Sequence, residues 1–436
     1  MQDLDAIVLA AGKSTRLKSG IPKVLQPIFG KPMLGYILDL LSATRKLKRI
    51  ILVIGYKKDL VKVFIKNYQK KKDIRLCLQR RLLGTADAIK ATAGLFKKDA
   101  SDVLIFYGDH PLIRKETLFS LIEVHSNTRA ACTLLTALVG DPAGYGRIIR
   151  DKNNDVKKIV EEKDASPEQK RINEINTGVY CFKKDVLFSN LGHIKLNEQK
   201  KEYYLTDIIE CLDSQGYHIQ ALRIEDDTQA QGVNTREDLN KASDIIRRRI
   251  LVGFIEKGVN ILDPNNTYIY PNVKIGGNSV IYPYTFIEHD VVIGRRCSVG
   301  PFSHLRPGTV LEDDASIGNF TELNRTRVGR FTKVRHFSYL GDAKVGDSVN
   351  IGAGTVTANY DGRKKNVTKI GKGAFIGSDT VLVAPVKVGK KAVTGAGSVV
   401  TAGCNVKDYS VVVGVPARVL KKKISRLTSK RLKSKR

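Results

Sequence analysis

Acidic residues are scarce in this chain. Against 74 Lys and Arg stand only 44 Asp and Glu, which leaves a formal charge of +30 over 436 residues. Such a surplus suits nucleic acid or anionic small substrates. Most of it is spread along the chain, and only the end is dense, with ten Lys or Arg in the last twenty residues. No aromatic follows Tyr409 to stack on bases, so the tail reads as a solvated terminus and not as a nucleic-acid site. Long apolar runs are also missing. No stretch reaches the ~18 residues a membrane span needs. The start, "MQDLDAIVLAAGKS", has no basic leader and reads as a buried first strand, not a signal peptide. Six cysteines, at 77, 132, 181, 211, 297 and 404, form no Cys-x-x-Cys pair. Metal or redox motifs of that type are thereby excluded, and scattered thiols suit a reducing cytoplasm.

What is present divides into two textures. The length itself implies two or three domains. Over the first half, apolar runs alternate with helical patterns. "DAIVLA" (5–10), "RIILVIG" (49–55), "DIRLCLQ" (73–79) and "DVLIFYGD" (102–109) read as strands. "MLGYILDLLSAT" (33–44), "DLVKVFIKNYQ" (59–69) and "TADAIKATAGLF" (85–96) read as helices. This alternation predicts a mainly parallel α/β sheet covered on both faces, with ligands at the carboxyl ends of its strands. "NTREDLNKASDIIRRRILVGFIEKGV" (234–259) reads as one long helix. The expected division is a domain over 1–234, a linker helix over 235–260, a second domain over 261–416 and a basic tail over 417–436.

From about residue 261 the period becomes six. Ile275, Ile281, Ile287, Ile293, Val299, Leu305, Leu311, Ile317 and Leu323 recur without a miss, and several precede glycine, as in Ile293-Gly294 and Ile317-Gly318. The phase slips by one at Val328 and again at Val345, then resumes through Ile370, Ile376, Leu382 and Val388. A hexapeptide period is the signature of a parallel β-helix, whose apolar column is buried only by stacking. The aliphatic residue is expected to point inward, and the small residue after it to allow the corner. Residues 355–369, rich in Gly, Asn, Asp and Lys, are expected to project as a loop.

"LAAGKST" (9–15) ends like a P-loop. A P-loop needs Gly five residues before its Gly-Lys, and here that place holds Ile7 inside a strand. The small residues Ala10, Ala11 and Gly12 instead let backbone approach a base or phosphate, with Arg16 and Lys23 as fixed charge. "YGD" (107–109) puts a carboxylate at a strand end. "GYGRI" (144–148), "IVEEKDA" (159–165), "EINTGVY" (174–180) and "GVN" (232–234) follow. In this order they resemble the sugar-nucleotide pyrophosphorylases. Joined to the hexapeptide repeat, residues 5–416 resemble the bifunctional N-acetylglucosamine-1-phosphate uridyltransferase/glucosamine-1-phosphate acetyltransferase family of cell-wall precursor synthesis.

The resemblance implies a Rossmann-like nucleotidyltransferase domain followed by a left-handed β-helix. It implies that Leu9, Ala10, Ala11, Gly12, Gln79, Gly84 and Thr85 hold uridine and its phosphates, with Arg16 and Lys23 on the triphosphate. Gly146, Glu161 and Asn176 would grip the sugar beside Tyr107 and Gly108, and Asp109 and Asn234 would ligate Mg²⁺. In the β-helix, His336 would be the base, since a protonated amine needs one to become a nucleophile. Arg306, Tyr339 and Asn350 would hold glucosamine-1-phosphate. Ala353, Asn359, Tyr360, Ser378 and Ala396 would line the acetyl-CoA site. The other substrates implied are UTP and N-acetylglucosamine-1-phosphate, and the assembly a homotrimer.

Three positions depart from the pattern. Ser14 stands where a second glycine is frequent, Asn324 where a Lys is common, and Gly414 where an Arg is common. Strand alternation would turn the neighbouring Arg325 to the opposite face from Asn324. An alternative reading is therefore a uridylyltransferase whose second domain is a weak acetyltransferase or serves another sugar. A zinc-dependent β-helix enzyme is disfavoured by seven scattered histidines.

Overall fold

The computed structural model describes residues 3–13, 16–68, 72–96, 100–198 and 200–420. Ser14, Thr15 and the basic segment 421–436 lie outside them. The chain forms two compact units, Met1–Ile246 and Arg247–Arg436, and the helix Arg236–Ile255 contains the point of division.

The first unit is built on nine strands: β1 (Asp3–Ala10), β2 (Leu47–Ile54), β3 (Asp73–Leu78), β4 (Ala100–Tyr107), β5 (Cys132–Leu138), β6 (Arg147–Arg150), β7 (Val156–Val160), β8 (Glu174–Lys183) and β9 (Ile219–Ile224). The sheet order is β9-β5-β8-β4-β1-β2-β3, and β7 and β6 extend from β8. β8 runs antiparallel to β4 and β5. β1 lies between β2 and β4, parallel to both. Its apolar run is buried on both faces because successive side chains alternate. Ala6 and Val8 join Ile50, Leu52, Leu104 and Phe106 in one core, while Ile7 joins Ile51, Val53, Val103 and Ile105 in the other. The sequence "TADAIKATAGLF" gives less helix than its pattern predicts. An α-helix spans Thr85–Lys90 and a 3₁₀ turn Ala93–Leu95.

The second unit is the three-sided parallel coil that the period of six predicts. Its short strands stack into three sheets of ten, eight and seven strands. From Ile281 to Leu323 every sixth residue is at most 2% exposed. Each such side chain contributes roughly 1.5–3 kcal/mol of burial.

The expectation for the corners fails. The left-handed residue lies three places after the inward aliphatic one and is seldom glycine: Asn278, Tyr284, Asp290, Arg296, Phe302, Asp314 and Phe320 all have φ between 53° and 63°. The glycine directly after the aliphatic residue answers to crowding between coils instead. A Cβ on Gly318 would lie 1.9 Å from the Arg335 carbonyl oxygen. The projecting loop is also shorter than expected, because Val356–Ala358 and Thr368–Ile370 remain in the sheets.

Candidate functional site

In the first unit, four neighbouring parallel strands end side by side, and the residues at or just beyond their carboxyl ends share one edge. Leu9, Ala10, Ala11 and Gly12 leave β1, Tyr56 follows β2, Gln79 follows β3, and Gly108 and Asp109 follow β4. Backbone bonds lock the edge: Gly108 N–H donates to Leu9 O and Tyr56 N–H to Ala11 O, both at 2.9 Å. Gln79 donates its side-chain amide to Gly84 O at 3.0 Å and to Asp87 Oδ2 at 2.8 Å. Gly84 has φ +102°, and a Cβ there would sit 2.4 Å from Tyr203 O, so no other residue fits. Thr85 Oγ1 accepts from Leu205 N–H at 2.9 Å. Beside Gln79 a groove of about 590 Å³ is lined by Gly55, Tyr56, Arg80 and Leu82. These are residues that the motifs did not single out. The rule that ligands meet strand ends would have found Tyr56.

Arg16, Lys23, Asp109 and Asn234, scattered over 218 positions of sequence, converge. Lys23 is ion-paired with Asp109. It also donates to Asn234 Oδ1 at 2.8 Å, as does Arg16 at 2.8 Å. Burial pushes the Asp109 carboxyl up, but the charges of Lys23 and His110 outweigh it and hold the group at about 2. Asp109 is thus a permanent carboxylate. The Lys23 ammonium bridges two hard oxygens, one from Asp109 and one from Asn234. A divalent cation bound by few protein oxygens and by substrate phosphates needs that donor set.

Tyr107 stacks on His110 with ring centres 5.9 Å apart. A short way along the edge, Gly146, Glu161 and Asn176 form a second group. Asn176 N–H donates to Gly146 O at 2.9 Å. Its side-chain amide donates to Tyr180 Oη at 2.6 Å. Glu161 accepts from Thr206 Oγ1 at 2.9 Å, and burial raises its carboxyl. The sequence reading missed Tyr180, Thr206 and Arg147. Arg147 is buried, reaches Glu162 at 2.7 Å and donates to Tyr145 O. It ties the glycine turn to the strand end that carries Glu161.

In the second unit, His336, Asn350, Ala353, Ser378 and Ala396 line one groove of about 510 Å³, together with Lys333 and Arg335. It follows the ten-stranded sheet and its edge toward the eight-stranded one. The remaining residues lie elsewhere. Arg306 and Tyr339 sit on the eight-stranded sheet, and Asn359 and Tyr360 at its far edge. Arg306 reaches Glu322 at 3.0 Å. A Cβ on Gly341 would lie 2.5 Å from Tyr339 Oη and 2.6 Å from Asn359 Nδ2, so these two atoms are neighbours.

Arg325 does not turn away from Asn324 as strand alternation would have it. Arg325 is a left-handed corner residue (φ 49°), where strand alternation does not hold. Its guanidinium donates to Asn324 Oδ1 at 2.8 Å and takes both oxygens of Asp342, at 2.6 and 2.9 Å. Asp342 also accepts from Asn359. A cation therefore stands beside the buried Asn324.

Among the described residues no helix is long and apolar enough to cross a membrane. No three His, Cys, Asp or Glu side chains cluster as metal ligands among them.

Known proteins match both units. The nucleotidyl transferase family matches residues 5–229, and the bacterial transferase hexapeptide repeat matches 290–325 and 368–402. Three similar relatives are each named bifunctional protein GlmU. That of Pelotomaculum thermopropionicum is 43% identical over 418 residues, covering 88% of this chain and 90% of the relative. That of Thermotoga maritima is 41% identical over 449 residues, covering 95% and 97%. That of Geobacillus sp. strain WCH70 is 39% identical over 429 residues, covering 91% and 92%. With relatives this similar over nearly their whole length, and with both domain models matched in order, the chain belongs to the bifunctional GlmU family, in which a nucleotidyltransferase domain precedes a hexapeptide-repeat β-helix.

Proposed function

We propose that the two sites make UDP-N-acetylglucosamine in sequence, with the residue roles below. The β-helix moves an acetyl group from acetyl-CoA to the amine of glucosamine-1-phosphate. The α/β domain then joins the N-acetylglucosamine-1-phosphate to UMP from UTP and releases pyrophosphate. The observation that carries this reading is the convergence of Arg16, Lys23, Asp109 and Asn234 beside the strand ends.

In uridylyl transfer the sugar-phosphate oxygen is already anionic, so no protein base is required. The chain aligns it with the α-phosphate and offsets charge. Gln79, Gly84 and Thr85 hold the uridine against the backbone of Leu9–Gly12. Arg16 and Lys23 face the triphosphate. Gly146, Glu161 and Asn176 orient the sugar beside Tyr107 and Gly108. Asp109 and Asn234 would hold Mg²⁺, which when bound neutralises phosphate charge.

In acetyl transfer His336 takes a proton from the ammonium. The amine attacks the thioester carbon, the C–S bond breaks, and the thiolate takes up the proton that the nitrogen sheds on becoming an amide and leaves as CoA. Arg306, Tyr339 and Asn350 hold the sugar phosphate, and Ala353, Asn359, Tyr360, Ser378 and Ala396 line the donor. These residues occupy two edges of one prism, which supports a homotrimer in which the edge of one copy meets the next edge of another. All six cysteines are free thiols, which supports a cytoplasmic setting.

The test is a coupled assay with glucosamine-1-phosphate, acetyl-CoA, UTP and Mg²⁺. The expected products are free CoA and UDP-N-acetylglucosamine. Omitting acetyl-CoA removes both, and supplying N-acetylglucosamine-1-phosphate then restores the nucleotide sugar alone. Nucleotide sugar formed equally well from the unacetylated sugar phosphate would overturn the order of steps.

A further inference from the structure

On the eight-stranded sheet, Arg306 stands between two carboxylates that it meets unequally. Phe286, His304, Glu322 and Tyr339 are in register in one outward column. Glu288 and Arg306 lie two residues beyond Phe286 and His304, on the same face. Arg306 therefore has Glu288 from the coil before it and Glu322 from the coil after it. Its Nη1 donates to Glu322 Oε1 at 3.0 Å. Its Nε lies 3.9 Å from Glu288 Oε1, beyond hydrogen-bond reach. His304 accounts for the difference, because its Nε2 donates to that same Glu288 oxygen at 2.6 Å. The imidazole is set edge-on to Phe286 with ring centres 6.2 Å apart, and Phe286 is stacked on Tyr268 at 4.5 Å. Glu322 is the only hydrogen-bond partner of the Arg306 side chain among the described residues. The Nε and Nη2 donors of the guanidinium are left open.

We infer that His304 is a positioning residue for acetyl transfer: it holds Glu288 off Arg306 and so keeps one edge of the guanidinium open to the sugar phosphate. The inference rests on the reading above that Arg306 binds glucosamine-1-phosphate. A guanidinium binds a phosphate through a pair of neighbouring N–H donors. Here Glu322 takes one donor, and Nε with Nη2 is the pair that remains. A Glu288 freed from His304 has to move little more than 1 Å to reach Nε. It would then occupy that pair and place a second negative charge against the incoming phosphate. An exposed ion pair of this kind competes with a ligand by a factor of about five.

The experiment measures CoA release by the full chain and two Michaelis constants, for glucosamine-1-phosphate and for acetyl-CoA. His304→Ala is expected to raise the KM for the sugar phosphate about fivefold. Its kcat and its KM for acetyl-CoA should stay near wild type, which also reports an intact coil. Glu288→Gln alone should leave the sugar-phosphate KM at or below the wild-type value. The double variant His304→Ala/Glu288→Gln should return to that value, because the competing charge is gone. His304→Gln, whose amide can also donate to Glu288, should keep most of the wild-type affinity. An unchanged KM in His304→Ala, a fall in kcat without a rise in KM, or a double variant as impaired as His304→Ala would overturn the inference. Arg306→Ala with an unchanged KM for the sugar phosphate would instead overturn the reading of Arg306 on which it rests.

Discussion

At the scale of the residue, environment decides the chemistry of each carboxylate in the first unit. Asp109 and Asp207 are both partly withdrawn from water, yet their acidities move in opposite directions. Asp109 has Lys23 against it and is held at about 2. Asp207 has burial and the carboxylates Glu161, Glu210 and Asp164 around it, and is pushed up to about 6. For Asp207 the folded value lies above the unfolded value of roughly 3.9. As pH rises from 4 to 6 the unfolded chain loses this proton while the folded chain keeps it. Stability therefore falls across that window and stays lowered above it. Asp207→Asn removes the penalty. It should raise stability above pH 6 by about 1 kcal/mol, allowing for solvent screening at a half-buried group. The gain should vanish below pH 4. Melting curves at pH 7.5 and pH 4 check this, and equal shifts at both would contradict the assignment. None of this was legible in the sequence, because Asp207 and Glu161 lie far apart along the chain.

At the scale of the element, the hexapeptide period revealed the coil but not its corners. The inward column was legible because burial repeats with the period. The corner residue was not, because stacking overrides backbone preference there. Tyr284, Phe302 and Phe320 hold left-handed φ values that cost roughly 1 kcal/mol or more each. They form a ladder with ring centres 4.9 and 5.0 Å apart, and such pairs contribute about 0.5–1.5 kcal/mol apiece. Phe302 sits in both pairs. Phe302→Ala loses the stacks and keeps the strained backbone. Phe302→Gly loses the stacks but relieves the strain. The glycine variant should therefore unfold at a higher urea concentration than the alanine variant, against the usual ranking of the two. The reverse order would show that the corner carries no strain.

At the scale of the whole molecule, the motif strings picked out residues that the fold brings together, Arg16, Lys23, Asp109 and Asn234 in one unit and His336, Asn350 and Ser378 in the other, since loops at strand ends and polar breaks in a coil are local features. That the residues proposed for acetyl transfer fall on two prism edges was not legible, because it depends on the phase of the coil. It leads to a complementation test. Chains carrying His336→Ala and chains carrying Asn359→Ala should each be poor acetyltransferases alone. Refolded together, they should regain activity at the junctions that join two intact edges, up to about a third of wild type. No regain in mixed assemblies would mean that one chain builds the whole site. Two independent centres serving one product can be separated by a pair of variants. Asp109→Ala should abolish pyrophosphate release from UTP while CoA release from acetyl-CoA proceeds at the wild-type rate. His336→Ala should do the converse. Either variant losing both reactions, or neither, would contradict the account.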